Sequence, residues 1–496
     1  MSDLINQNEI FEGVGIATEE DVRSLLKALE ANEGVTDIAN LTGGAALQPQ
    51  SLEGTLALLT AQEKHLTLWK NVPKDSAVST IEEYSMQLGY GMDDSGWVQQ
   101  METPDEADPY IKRGYSTIKF MRQIWKVSDV ASMVTGIMDA EVVAKQSAVM
   151  RVLRRVNRTL YSGDSNLVPE SIDGFETAIK NNGSKDHVRD LRGGVPTSDD
   201  FRFLAELITA NLGNVEGAGL YVSPGGMTTI DSLLVPGQRF LQNQLGADGK
   251  IAYGWGVDRI HTSFGTIIPK VDIFLASEYE GKTVPKIPDP ANPMNLIEGK
   301  TSAKAPDTPS IAVANVASVS GSLWRDTASV RPSNRTYRFR VAAGNRFGLS
   351  KACAAADAGA AVPEGGGIEI TITPAGTGNP ATYYEIYSEQ VEGSGDYRLV
   401  AKVKATAPTT VYIDKNEDIP GTTKMFLLDL TSVGDMRSFT VKRLAPIFSQ
   451  ELAKIGAYRW GMVNMFLTPV YYAPLRFAML KNVAIGGQSK SKFIEI

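Results

Sequence analysis

Few residues in this chain are spaced to do chemistry. Its three histidines, His65, His187 and His261, share no metal-ligand spacing. Gly281-Lys282-Thr283 and Gly299-Lys300-Thr301 imitate the end of a phosphate loop. The glycine required five positions earlier is replaced by Ala276 and Met294, so neither qualifies. Ser223 lies in Tyr-Val-Ser-Pro-Gly and lacks the first glycine of a nucleophile elbow. Cys353 sits in an alanine-rich stretch and reads as an idle thiol. Asp93, Asp94, Glu102, Asp105, Glu106 and Asp108 crowd one segment but miss the spacing of a calcium-binding loop, which leaves a solvated tip. No catalytic, metal-ligating or cofactor-binding residue is expected. An enzyme with an accessory β module stays open as an alternative, because two carboxylates facing across a cleft leave no local motif.

The most suggestive charged feature is a row, Arg151, Arg154, Arg155 and Arg158. Asp129 to Ser162 around it contains no proline and one glycine, Gly136. Wound as one helix, Val134, Met138, Val142, Val149, Leu153, Val156 and Leu160 fall within an arc of about 100°, with the arginines opposite. Such a helix would run roughly 50 Å, a beam on which smaller pieces are mounted. Ser128 or Asp129 can cap it. The arginine face is either solvated and acid-paired, or turned to nucleic acid or a neighbouring subunit.

The totals restrict the partners. With 49 Lys and Arg against 57 Asp and Glu, the net charge of −8 disfavours a dedicated nucleic-acid binder, though not a container that tolerates DNA. A single cysteine excludes an intrachain disulfide and fits a reducing compartment. No secretory signal is visible, and no run of about 18 apolar residues suggests a membrane span. A length of 496 residues allows about three domains.

Residues 1–50 read as an arm with one short amphipathic helix near 18–33, and Ser51 to His65 as a second helix. Ala77–Leu88 and Tyr115–Trp125 read as strands of a long ribbon with a loose tip over Gly89–Gly114. An isolated two-stranded ribbon is marginal in water, so it must lie on something, most simply a second copy of the chain. After the beam, helices near Ser171–Lys180, Pro196–Leu212 and Pro224–Val235 alternate with strands at Gly219–Ser223, Val257–His261 and Gly265–Ala276. That is α/β or α+β character. A proline-rich linker follows from about Lys286 to Ser310. Thr336–Ala342, Ile368–Thr373, Tyr383–Tyr387, Tyr397–Val403 and Thr410–Ile413 then alternate as in a small β-sandwich. Pro446–Tyr458 reads as a short helix and Trp460–Leu480 as a buried strand pair or meander. The sandwich is therefore an insertion into a domain completed by the C-terminal stretch.

The order of arm, ribbon, long helix, α/β domain and terminal strands resembles the major coat protein of tailed double-stranded-DNA phages. Pro73–Tyr84 (PKDSAVSTIEEY), Tyr161–Lys180 (YSGDSNLVPESIDGFETAIK) and Leu220–Arg239 (LYVSPGGMTTIDSLLVPGQR) look like local patterns of that family. The resemblance implies an α+β, Hong Kong 97-type capsid fold. Its parts map as N-terminal arm 1–71, extended hairpin loop 72–126, peripheral domain with spine helix 127–189, axial domain 190–299, inserted sandwich 300–423 and completion 424–496. It further implies hexamers and pentamers closing an icosahedral shell around DNA without sequence-specific binding. Decoration, portal and scaffolding proteins would be partners, and a virion assembled in the host cytoplasm the location. Tyr84, Asp93, Asp94, Trp97 and Arg113 become candidate inter-subunit contacts, and the arginine row an inner-face or inter-subunit surface. An enzyme-storing bacterial cage of the same fold is the nearer rival. Tyr337–Ser350 (YRFRVAAGNRFGLS) resembles the late strand and turn of a fibronectin or immunoglobulin-like module. It precedes Tyr383–Tyr387 (YYEIY), which resembles an earlier strand, so the strand order is permuted.

Overall fold

The computed structural model describes residues 63–91, 97, 99–101, 108–133, 139–182, 185–216, 218–233, 257–292, 295–327, 331–431 and 437–485. The expected helices near 18–33 and over 51–62 lie outside them; Glu63–His65 is one 3-10 turn.

In chain order the elements are α1 (Thr67–Asn71), β1 (Lys74–Ser76), β2 (Ile81–Gly89), β3 (Tyr110–Thr117) and β4 (Lys119–Ser128). Then come α2 (Asp129–Met133), α3 (Ala140–Ser162), α4 (Phe175–Asn182), β5 (Val188–Asp190), α5 (Ser198–Ala210), β6 (Gly219–Val222) and α6 (Pro224–Leu233). Next are β7 (Ile260–Thr262), β8 (Gly265–Val271), β9 (Lys286–Pro288), β10 (Leu296–Glu298) and β11 (Ser310–Val316). The series continues with β12 (Phe339–Asn345), β13 (Gly348–Leu349), β14 (Gly367–Thr373), β15 (Tyr383–Glu389), β16 (Tyr397–Lys404) and β17 (Thr410–Asp414). Last are β18 (Thr423–Leu428), β19 (Phe439–Glu451), β20 (Tyr458–Tyr471) and β21 (Phe477–Val483).

The apolar runs at Met425–Leu428 and Phe477–Leu480 are explained by burial on both faces. They form β18 and β21 at the centre of a six-stranded mixed sheet, order β5-β21-β18-β6-β8-β7. Phe426, Leu428, Phe477 and Met479 face a core shared with α3 and α4. The alternate residues Met425, Leu427, Ala478 and Leu480 face a second core under α5. The C-terminal strands thus complete a sheet begun before the sandwich. The fold is α+β.

A second sheet, order β1-β19-β20-β4, lays one face on α3 through Trp125, Val127, Val463 and Met465. Two expectations change here. Pro446–Tyr458 is not a helix: β19 runs through Pro446, with register shifts at Arg443/Ala445 and Ala445/Phe448. A proline that opens a helix also fits a bulge, where no ladder donor is needed. The C-terminal strands are no meander either, since β20 and β21 belong to different sheets.

The beam is also divided. Ser128 Oγ accepts from Ala131 N to start α2, and the longer helix begins afresh at Ala140. Asp139, extended at φ −61 and ψ 118, accepts the Glu141 amide at 2.9 Å. A side-chain cap there closes the helix end that a continuous spiral would have run through. The 23-residue helix is roughly 35 Å long. Its buried stripe is Ala148, Val152, Leu153, Val156, Asn157, Leu160 and Tyr161, whereas Val142 is exposed.

The sandwich pairs a sheet β11-β14-β17 with a sheet β13-β12-β15-β16 around Trp324, Phe339, Ile370 and Ile386. In immunoglobulin-like lettering these are A-B-E and G-F-C plus one edge strand. In that lettering the β12–β13 hairpin takes the F-G place, and it precedes β14 and β15 in the chain. The linker is partly ordered: β9 and β10 form a hairpin, and Arg340 clasps Glu298 with two bonds of 2.6 Å.

Candidate functional site

Strands β2 and β3 pair as a ribbon, with Glu83 opposite Tyr115, Ser85 opposite Arg113 and Gln87 opposite Ile111. The second strand starts earlier than the alternation suggested, and Lys119–Ser128 leaves the ribbon to join β20. The alternation divides the ribbon into two faces. Tyr84 and Ser116 turn inward at its base. The Tyr84 ring meets Tyr472 edge-on at 5.3 Å, and Ser116 Oγ bonds Thr468 Oγ1 at 2.6 Å. Gly114 lies under the Tyr84 ring, where a Cβ would come within 2.6 Å of it. Burial raises the Tyr84 phenol above its usual range. The ribbon therefore rests on its own molecule at its root.

Among the described residues its outer face does not. Ile81 is 52% exposed, Ile111 64%, Tyr115 77% and Trp97 92%. Leu88, left unpaired by a register shift after Gln87, is exposed too. Of the predicted contact residues, Tyr84 is inward and Trp97 is outward. Arg113 reaches Glu83 at 3.6 Å with both side chains largely in solvent. Asp93 and Asp94 lie outside the described residues.

A second open surface was not anticipated. The face of β4, β20 and β19 turned away from α3 carries Phe120, Ile124, Phe448 and Phe466. Phe120 is 55% exposed, and its ring and that of Phe448 pack on Phe466 at 5.2 and 5.7 Å. Arg122 lies over Phe466 and Lys126 over Tyr458. The signal was the alternation Phe120, Arg122, Ile124, Lys126, legible once the strand is placed.

The arginine row separates. Arg151 and Arg155 are exposed on α3. Arg154 is half-buried, and burial followed by the Arg151 charge lowers its pKa. Arg158 folds inward over the Phe274 ring, 4.0 Å from Glu278.

Among the described residues no group of three or more His, Cys, Asp or Glu could hold a metal ion, and no helix is long and apolar enough to cross a membrane. No family model matches the chain. The major capsid protein of Staphylococcus phage K is 22% identical over 486 residues, covering 94% of this chain and 95% of that protein. The putative major capsid protein of Enterococcus phage phiEF24C is 22% identical over 478 residues, covering 92% and 94%. The chain is similar to phage major capsid proteins along nearly its whole length. Among solved structures, the capsid of a native GTA particle aligns over 91% of this chain and 100% of its own, at 10% identity and a TM-score of 0.41. The SrpI encapsulin of Synechococcus elongatus aligns over 87% and 94%, at 9% and 0.35.

The site of a structural protein is its set of contact surfaces, and in this chain one such surface is internal. The four-stranded sheet of the sandwich meets the segment 276–284 through charged groups. Lys282 Nζ lies 2.8 Å from Glu385 Oε1 and 3.8 Å from Glu278 Oε2. Lys402 stands 3.8 Å from each of the same carboxylates. Burial would raise Glu278, but Lys282, Lys402, Arg158 and the Ser162 hydroxyl bring it down to about 2. Nothing local in the sequence marks this joint.

The root of the arm is anchored by a buried carboxylate. Asp272 accepts from Leu68 N, Asn157 Nδ2 and Tyr161 Oη at 3.2, 3.1 and 2.9 Å, and from Phe274 N at 2.9 Å. Leu66, Leu68 and Trp69, within the span assigned to the arm, are thereby fixed in the main core, with Val72 just past that span. Burial raises the Asp272 pKa against those bonds.

Proposed function

We propose that this chain is the shell subunit of an icosahedral phage capsid, assembling as hexamers and pentamers that enclose double-stranded DNA without reading its sequence. The observation that carries the reading is the ribbon, which among the described residues is an exposed apolar strip held to its own molecule at the root. Exposed apolar area on this scale marks a surface that another protein covers. The open face of β4, β20 and β19 is the complementary surface: aromatic, and fringed by Arg122 and Lys126, where the ribbon carries Glu82, Glu83 and the acidic tip. In this reading the ribbon of one subunit lies on that face of the next. Such head-to-tail contacts close into rings.

The family's parts then map as arm 1–71, extended loop 72–126, peripheral domain 127–189 with α3 as the spine, axial domain 190–299 and 424–496, and an outward sandwich 300–423. Arg151 and Arg155 face packaged DNA or a neighbour. Portal, scaffolding and decoration proteins would join the shell, which assembles in the host cytoplasm. Electron microscopy of the expressed chain tests the reading, with rings and closed particles as the expected result. Protein that stays monomeric under every assembly condition would sink it. Nuclease-protected DNA in particles from infected cells separates a virion from an enzyme-storing cage.

A further inference from the structure

The joint between sandwich and body is unusual in what it lacks. Its apolar part is small: Val284 with Ala342, Ala352 and Tyr387, and Tyr397 and Leu399 half-buried against them. The rest is mostly charge, beside the backbone bond from Leu399 N to Lys282 O. Glu385 is held by Lys282, by the Tyr387 hydroxyl at 2.6 Å and, more distantly, by Lys402. Glu278 takes the Ser162 hydroxyl at 3.0 Å and faces Lys282, Lys402 and Arg158. Farther along, Asp418 lies 3.4 Å from Lys481 and 3.9 Å from Lys424, whose ammonium binds Glu176 at 2.6 Å. Arg192 reaches across from the body to the carbonyls of Asn416 and Leu323, at 2.5 and 3.0 Å. A cavity of about 290 Å³ lined by Glu176, Glu278, Lys402 and Asp418 lies within this seam.

An interface built this way fixes direction without a large apolar area to keep covered. It can therefore part without the cost that holds a hydrophobic core shut. We infer that the joint is a charge lock: the Lys282–Glu385 pair keys the sandwich to one orientation, and acid or loss of that pair frees it to swing as a folded unit. The sandwich keeps its own core and its own fully buried pair, Arg331–Asp414 at 2.7 Å, so it stays folded when the lock opens.

The pH sense follows from the carboxylates. Burial opposes their charge, yet the facing lysines hold Glu385 and Asp418 below the usual range and Glu278 at about 2. Depressed values contribute stability above the unfolded carboxylate pKa of about 4.3, and it is lost as pH falls through the folded values. The Tyr383 and Tyr387 phenols, also at the joint, stay neutral throughout this range. The lock accordingly weakens as pH falls below the ordinary carboxylate range.

Hydrogen exchange on the full chain tests this. In Glu385→Gln, amides of 276–284 and of Leu399, which donates to Lys282 O at 3.0 Å, should exchange about tenfold faster, while β12 and β14 stay protected. Lys402→Met, which removes the more distant cation facing both carboxylates, should raise the same rates by a smaller factor. In the wild type, after correction for intrinsic rates, acid should release the joint before β14. Unchanged joint exchange in Glu385→Gln would overturn the inference. So would simultaneous loss at the joint and in β14, in the variant or in acid.

Discussion

The ribbon and the joint treat their surfaces in opposite ways. At the joint, lysines and carboxylates from the sandwich and the body answer one another within a single chain. On the ribbon, Ile81, Ile111, Tyr115 and Trp97 stand in solvent, and the Glu83–Arg113 pair is nearly as exposed. A charged surface whose partners are all present defines an orientation inside the molecule. An apolar surface without a cover defines a need that another molecule meets. The difference separates what the subunit does for itself from what it leaves to its neighbours.

That contrast is broken most directly by charging the ribbon. Ile111→Asp with Tyr115→Asp should abolish particles while changing subunit stability by only about 0.5 kcal/mol, as exposed sites usually do. Particle yield by microscopy and a denaturation midpoint on the unassembled chain are the two measurements. A large stability loss would mean that the outer face already packs on its own molecule. The joint should behave in reverse. Lys282→Met leaves Glu385, only 2% exposed at its side chain, without its nearest cation. Removing one partner of a buried pair costs about 3–5 kcal/mol, and Lys402 at 3.8 Å keeps the loss near the lower end. Urea denaturation should show that loss in the subunit, with assembly altered only through it. A variant as stable as the parent would mean that water already screens the pair.

The same division governs what could be read from the sequence. Helix α5 was legible because its signals are local. Thr197 and Asp200 make a capping box, the Asp200 carboxylate accepting Thr197 N at 2.7 Å, and Phe201, Leu204, Ala205 and Ile208 follow at helical spacing. The sandwich strands were legible by alternation, and the displaced hairpin by the misplaced likeness of Tyr337–Ser350. The break before α3 was not, because Asp139 acts as a cap only in one backbone conformation and looks like any polar helix residue otherwise. Pro446 misled for a related reason, since the property that suits it to a helix start also suits it to a bulge. The joint was invisible. Lys282 and Glu385 are 103 residues apart, and charge alone names no partner at that distance.

The smallest effect sharpens the comparison most. Arg113 is a candidate inter-subunit residue, and among the described residues of its own molecule it reaches Glu83, at 3.6 Å, with the two side chains 75% and 62% exposed. An exposed pair of that kind contributes about 0–1 kcal/mol and is screened by salt. Arg113→Ala should therefore leave the denaturation midpoint of the unassembled chain almost where it was. If a neighbour's acid meets the guanidinium in the shell, desolvation makes the same substitution matter more there, because leaving a covered charge unpaired is costly. Particles of Arg113→Ala should then dissociate at lower denaturant than parent particles, by more than the subunits differ. Equal shifts in particle and subunit would assign Arg113 to the solvated edge of the ribbon and move the inter-subunit contact to its apolar residues.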